Sequence, residues 1–195
     1  MSDGSGEVET PLSVLYARRL AAAGYPLDEW GEDAGSIWTA WKAMEENPGL
    51  GLIVGGKFGR GKTTLIHAMI NWPRCDGYKA VHTSSRAEMA LLDGDECPKE
   101  HLFIDDILAD NARVEFGTAR DSVAEYLRWW MDKKSWHGWK KRLFLTTNGT
   151  LDDLNDRYGV RLASRIMECC EPLTLRGGNR RAITGGKEAW KRFGT

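Results

Sequence analysis

Gly56-Lys57-Phe58-Gly59-Arg60-Gly61-Lys62-Thr63 lies between an apolar run at residues 50–54 and a helical pattern at 62–70, and that placement decides the fold. The octet has the form G-x-x-x-x-G-K-[ST]. Its three glycines let the backbone curl until successive N–H groups point inward, a concave nest at the positive end of a helix that suits phosphate oxygens. Lys62 adds a mobile cation for β and γ phosphates. Thr63, followed by Thr64, supplies a hydroxyl to Mg²⁺, a hard cation that prefers oxygen ligands. ATP and Mg²⁺ are therefore the expected ligands of residues 56–64. The plain alternative is a glycine turn before a helix that happens to carry Lys-Thr, and the flanking strand argues against it.

Outward from this loop, apolar runs alternate with helical patterns in βα order, the signature of a parallel sheet covered by helices. Strands are expected at residues 50–54, 78–83, 101–105, 143–147 and 172–175. Helices are expected at 62–70, 86–92, 118–133, 151–158 and 161–169, with Gly159 placed to stop one before the next begins. Before the loop, residues 12–46 carry a helical pattern with Leu12, Leu15, Tyr16 and Leu20 on one face and Ile37, Trp38, Trp41 and Met44 on another. Asn47-Pro48-Gly49 breaks it. The chain thus divides into a polar, acidic leader at 1–10 expected to be disordered, an N-terminal helical segment at 11–47, an α/β core at 48–185 and a tail at 186–195.

A chain of 195 residues with 42% hydrophobic and 28% charged side chains suits one globular domain with a real core. A formal net charge of −1 means that nucleic-acid binding, if present, must come from a local patch. The four cysteines, Cys75, Cys97, Cys169 and Cys170, form no C-x-x-C pair, and the natural reading is a reduced cytoplasm. No stretch approaches the roughly 20 apolar residues of a membrane span, so no membrane partner is expected.

Two further stretches complete the expected site. Leu102-Phe103-Ile104-Asp105-Asp106 is an apolar strand ending in two carboxylates, which places Asp105 beside the metal. Asp106, one residue past the strand, can orient or deprotonate water as a general base, or else serve as an N-cap or turn acid. Leu143-Phe144-Leu145-Thr146-Thr147-Asn148 turns polar at its carboxyl end, the edge where open α/β sheets hold ligands. Asn148 can reach a water or the γ phosphate there, or simply occupy the turn before Gly149.

Together, these stretches and Tyr158-Gly159-Val160-Arg161-Leu162-Ala163-Ser164-Arg165-Ile166 resemble the AAA+ ATPases of the DnaC/DnaI helicase-loader group. DnaA initiators and IstB-type transposition ATPases share much of the pattern, which covers about residues 50–181. The resemblance implies an α/β P-loop NTPase fold with a parallel five-stranded sheet in the order 5-1-4-3-2, helices on both faces and no C-terminal lid domain. It implies ATP held between subunits of a ring or filament, with Asp105 in the Walker B metal role, Asp106 activating water and Asn148 as a sensor. Arg165 matches the arginine finger, with Arg161 as the alternative. In Gly177-Gly178-Asn179-Arg180-Arg181, Arg181 matches a second phosphate sensor, with Arg180 as the alternative. The partners implied are further copies of the chain, a replicative helicase or another DNA-processing protein, and single-stranded DNA. Departures are a short segment at 84–100, where initiators carry extra helical structure for DNA, and an N-terminal part without the zinc-binding cysteine cluster of some loaders.

Trp129, Trp130, Trp136 and Trp139 lie among Lys133, Lys134, Lys140, Lys141 and Arg142, rings and cations that can stack and neutralise a single strand. Packing of the tryptophans on the sheet, with the cations solvating the next loop, is the stronger reading. His67, His82, His101 and His137 have no metal-site spacing. The function expected is that of an ATPase acting in DNA replication or recombination. The alternatives are a small-molecule or nucleotide kinase, which would need an acceptor pocket and an Arg-rich lid, and an adaptor that uses ATP as a switch with negligible turnover.

Overall fold

In the computed structural model, which describes residues 11–70, 78–82, 101–109, 113–115, 118–120, 122–137 and 142–180, chain order alternates strands and helices from residue 51 onward. Helices α1 (Leu12–Ala22) and α2 (Asp33–Glu46) flank a 3-10 turn at Leu27–Trp30. Then come β1 (Gly51–Gly55), α3 (Lys62–Ile70), β2 (Tyr78–His82) and β3 (His101–Asp105). The short strands β4 (Arg113–Glu115) and β5 (Thr118–Arg120) precede α4 (Ser122–His137). The chain continues through β6 (Leu143–Thr146), α5 (Leu151–Tyr158), α6 (Val160–Cys169) and β7 (Cys170–Thr174).

The sheet order is β2-β3-β6-β1-β7 and each neighbouring pair is parallel. Strand β2 lies at one edge and pairs with β3, Val81 opposite Ile104. Alternation along each strand sends neighbouring side chains to opposite faces, and both faces are apolar. Ile53, Leu102, Ile104, Leu143 and Leu145 pack with Leu127 and Trp130 of α4, Tyr158 of α5 and Ile166 of α6. Leu52, Val54, Phe103 and Phe144 pack on the other side with Leu65 and Met69 of α3, Trp41 of α2 and Leu20 of α1. The N-terminal helices therefore share one apolar layer with α3. Their contact with the sheet brings Trp30 against Gly61 and Asp33 against the backbone that follows β7.

Most boundaries fall within one residue of expectation, and the larger departures are in α4 and β7. The helix expected at 118–133 begins only at Ser122, because Thr118–Arg120 pairs antiparallel with β4, Val114 opposite Ala119. The apolar helical face starts at Val123, and the ladder takes the residues before it. Strand β7 begins at Cys170 rather than Pro172: Cys170 is buried opposite Gly51, and its thiol donates to the Leu143 carbonyl at 3.4 Å. Pro172 is tolerated inside the strand because β7 is the sheet's edge, where one side needs no amide donor. The leader, the helix expected at 86–92, the tail, Lys140, Lys141, Trp139 and Arg181 lie outside the described residues. Among the described residues no helix is long and apolar enough to cross a membrane.

Helix α5 starts on a capping box: the Thr150 hydroxyl accepts from the Asp153 amide at 3.2 Å, and the Asp153 carboxylate accepts from the Thr150 amide at 2.6 Å. These bonds to the Thr150 amide and hydroxyl hold the Asp153 carboxyl below its ordinary value. Such a group favours the fold above the unfolded carboxyl's pKa, and its contribution is lost as pH falls through the lowered folded value. Thr150→Ala is expected to cost about 1 kcal/mol of stability, read as a lower urea midpoint at neutral pH. An unchanged midpoint would mean that the cap adds nothing.

Candidate functional site

The loop between β1 and α3 has the curled backbone that its glycines permit, with φ of 134° at Gly56, 78° at Gly59 and 89° at Gly61. The Gly61 carbonyl accepts from the Leu65 amide at 2.8 Å, so α3 begins directly at the loop's end. Lys62 is buried, and its ammonium donates to the carbonyls of Gly56 at 2.7 Å and Lys57 at 3.2 Å and to Asn148 Oδ1 at 2.6 Å. The cation is thus folded back across the mouth of its own loop. Lys57 and Phe58 face outward, Phe58 72% exposed, while Arg60 donates to the Leu175 carbonyl at 2.6 Å. Thr64 is half-buried in the first turn of α3.

Behind Lys62 the two polar strand ends meet. The Thr63 hydroxyl lies 2.9 and 3.1 Å from the two carboxylate oxygens of Asp105. Thr146, on the neighbouring strand β6, donates its hydroxyl to Asp105 Oδ1 and accepts from the Asp106 amide at 2.7 Å. Asn148 donates from Nδ2 to Asp106 Oδ2 at 2.7 Å. An ammonium only donates and a carboxylate only accepts, so the Asn148 amide can face Lys62 and Asp106 in this orientation alone. Asp106 has a left-handed φ of 52°, a conformation that costs a non-glycine residue on the order of 1 kcal/mol and recurs at functional sites. The turn that imposes it is tied down by the Thr146 hydroxyl on the Asp106 amide and by the Thr146 carbonyl, which accepts from Ile107 at 3.0 Å.

This donor set fits ATP and Mg²⁺. A hydroxyl and a carboxylate already side by side are oxygen ligands of the kind a hard dication takes, and Lys62 sits among loop groups that a polyphosphate would displace. Lys62, Thr63, Asp105, Asp106 and Asn148 are all brought together. Arg165 is not among them: on α6, it pairs with Asp132 of α4 at 2.8 Å, and Arg161 on the same helix is exposed.

Three residues given no role from sequence, Thr146, Trp30 and Asp33, belong to the site or its wall, and with them Arg180, which the resemblance offers only as the alternative to Arg181 for the second phosphate sensor. Thr146 bridges both acids, and its signal was the polar turn at the end of strand β6. Trp30, Asp33 and Arg180 close the outer side of the loop, and no motif marks Trp30 or Asp33 because they lie in the N-terminal helical part. The Arg180 guanidinium stacks 4.0 Å from the Trp30 ring centre. Burial lowers its pKa, and the Asp33 and Glu29 carboxylates oppose that shift.

No protein-family model matches the sequence, and no curated protein matches it either. Solved structures do. DnaI matches with a TM-score of 0.54 at 18% identity, covering 77% of this chain and 85% of DnaI. The DnaC helicase loader matches with a TM-score of 0.51 at 20% identity, covering 75% of this chain and 92% of DnaC. Its fold is that of the helicase-loader structures. AMPPCP-bound DnaA from Aquifex aeolicus shares it, with a TM-score of 0.54 at 16% identity over 85% of this chain and 54% of that one. At these identities the likeness is one of fold. The loader-like fold puts the loop, the Asp105-Asp106 turn and Asn148 at the carboxyl ends of adjacent parallel strands, where such sheets hold ligands.

Proposed function

We propose that this chain is an ATPase of helicase-loader type that binds ATP·Mg²⁺ at residues 56–64 and works in DNA replication or recombination. The observation that carries the reading is the continuous chain of hydrogen bonds from Lys62 through Asn148 to Asp106, beside the Thr63–Asp105 pair. A loop that only bound phosphate would not need a carboxylate held one residue beyond the metal acid and aligned by the same amide that touches the loop lysine.

In this reading Lys62 leaves its carbonyl partners for the β and γ phosphates, while the amides of the loop cradle the chain of phosphates. Thr63 and Asp105 would hold Mg²⁺, which when bound neutralises charge on the phosphate oxygens. Asp106 takes the proton of the attacking water as its oxygen bonds to the γ phosphorus and the bond to the bridging oxygen breaks. The electron pair leaves with ADP. Asn148 holds the Asp106 carboxylate in line and donates toward the water or the γ phosphate. The partners proposed are other copies of the chain, a replicative helicase or related DNA-processing protein, and single-stranded DNA.

Asp106→Asn is expected to keep ATP·Mg²⁺ affinity and to lose about 10²–10⁴-fold in turnover, the usual share of general-base catalysis. Asp105→Asn is expected to weaken the Mg²⁺ dependence of binding instead. Steady-state turnover and nucleotide titrations on both variants decide. If both lose binding equally, the two acids share the metal; if Asp106→Asn turns over at the wild-type rate, Asp106 is not the base.

A further inference from the structure

We propose that Trp30 and Arg180 are positioning residues that brace the phosphate loop from its outer side, with Asp33 anchoring the segment that carries Arg180. The inference rests on the nucleotide-binding reading above and extends it to side chains that reading leaves without a role.

The brace is built from both ends of the described chain. Trp30 is fully buried, with its indole N–H donating to the Tyr25 carbonyl at 3.2 Å. Arg180 places its guanidinium carbon over the ring, donates from Nη1 to the Glu29 carbonyl at 3.2 Å, and gives its backbone N–H to the Gly59 carbonyl at 2.8 Å. No slack remains between this stack and the loop. A Cβ added at Gly61 would stand 2.9 Å from Arg180 Cδ and 3.1 Å from the Trp30 ring, and one at Gly59 would stand 2.2 Å from Asn179 Oδ1. Gly61 is therefore required twice, by its own backbone angle and by the stack that presses on it, whereas the Asn179 amide facing Gly59 is the end of a side chain that can turn aside. Asp33, 2% exposed, accepts from the amides of Arg176 at 2.6 Å and Gly177 at 2.9 Å. A carboxylate this buried needs such donors, and by taking them it fixes the chain just before Arg180.

A loop that is already shaped pays less ordering entropy when the ligand arrives. Its amides face the phosphates that ADP and ATP share, so loosening the brace weakens both nucleotides alike. A guanidinium that touched the third phosphate directly would instead matter for ATP only. The two roles separate in one comparison.

The experiment is titration calorimetry of the full chain with ADP·Mg²⁺ and with a slowly hydrolysed ATP analogue, for wild type, Arg180→Met, Arg180→Lys, Trp30→Leu and the Arg180→Met/Trp30→Leu pair. Each single variant is expected to lose roughly threefold to tenfold in affinity for both nucleotides by the same factor, the range that an ordinary cation–π contact corresponds to. Arg180→Lys should recover only part of the loss, because an ammonium keeps a cation over the ring but lacks the guanidinium's planar surface and forked donors. The double variant should be no weaker than the worse single one, since both act through one contact. Loss for the ATP analogue alone would overturn the proposal in favour of direct phosphate contact, and unchanged affinities in folded variants would overturn it outright. If thermal melting shows that Trp30→Leu does not fold, the two Arg180 variants decide by the same criterion. A wild type that binds neither nucleotide would bring down the ATP reading itself.

Discussion

Lys62→Ala is expected to abolish measurable ATP binding and, with it, turnover. In the structure the ammonium holds together three groups, the Gly56 and Lys57 carbonyls and the Asn148 side chain. Removing it leaves carbonyl oxygens facing the place where phosphate oxygens would lie, so a favourable charge-assisted contact is replaced by repulsion between acceptors. It also frees Asn148 from the loop, so Asp106 loses part of its alignment. Equilibrium titration of the folded variant with ATP·Mg²⁺ is the measurement. Wild-type affinity in that variant would sink the assignment of residues 56–64.

Arg165→Ala is expected to lower turnover by about 10³–10⁵-fold, the range seen when a cation that neutralises charge on the γ phosphate is removed in phosphoryl-transfer enzymes. The role proposed is in trans, on ATP held by a neighbouring copy. Arg165 pairs with Asp132 at 2.8 Å, their side chains 32% and 61% exposed. A pair that open is worth about 0.5 kcal/mol, too little to keep the guanidinium from a polyphosphate presented by another subunit. Mixing Arg165→Ala, which keeps a sound loop, with Lys62→Ala, which keeps the arginine, should restore part of the activity that each lacks alone. If the two co-assemble and activity stays absent at every ratio, Arg165 works within its own subunit or only in the fold.

Much of this molecule can be read along the chain, and the reasons are local. Strand β3 at 101–105, helix α3 at 62–70 and helix α5 at 151–158 appear with the expected bounds, because each is delimited by its own chemistry: a carboxylate pair, a glycine loop, and a Thr150 cap with Gly159 behind it. The start of α4 lies later than the expected 118 because β5 owes its existence to pairing with β4, a partnership that periodicity in a single segment does not express.

The same division runs through the site. The glycine-rich loop that joins a strand to a helix, the two carboxylates that end a second strand and the asparagine that ends a third are all legible along the chain, since each is a contiguous pattern governed by short-range backbone and side-chain rules. The folded chain alone reveals that Thr146 reaches both Asp105 and the Asp106 amide, that one Asn148 amide spans Lys62 and Asp106, and that Trp30 and Asp33, far along the chain from Arg180 and Gly177, close the outer side of the loop. These contacts join residues widely separated in sequence. They follow from which strands lie side by side and from the apolar face that seats α1 and α2 against the sheet, and packing of that kind is a property of the whole chain rather than of any motif in it.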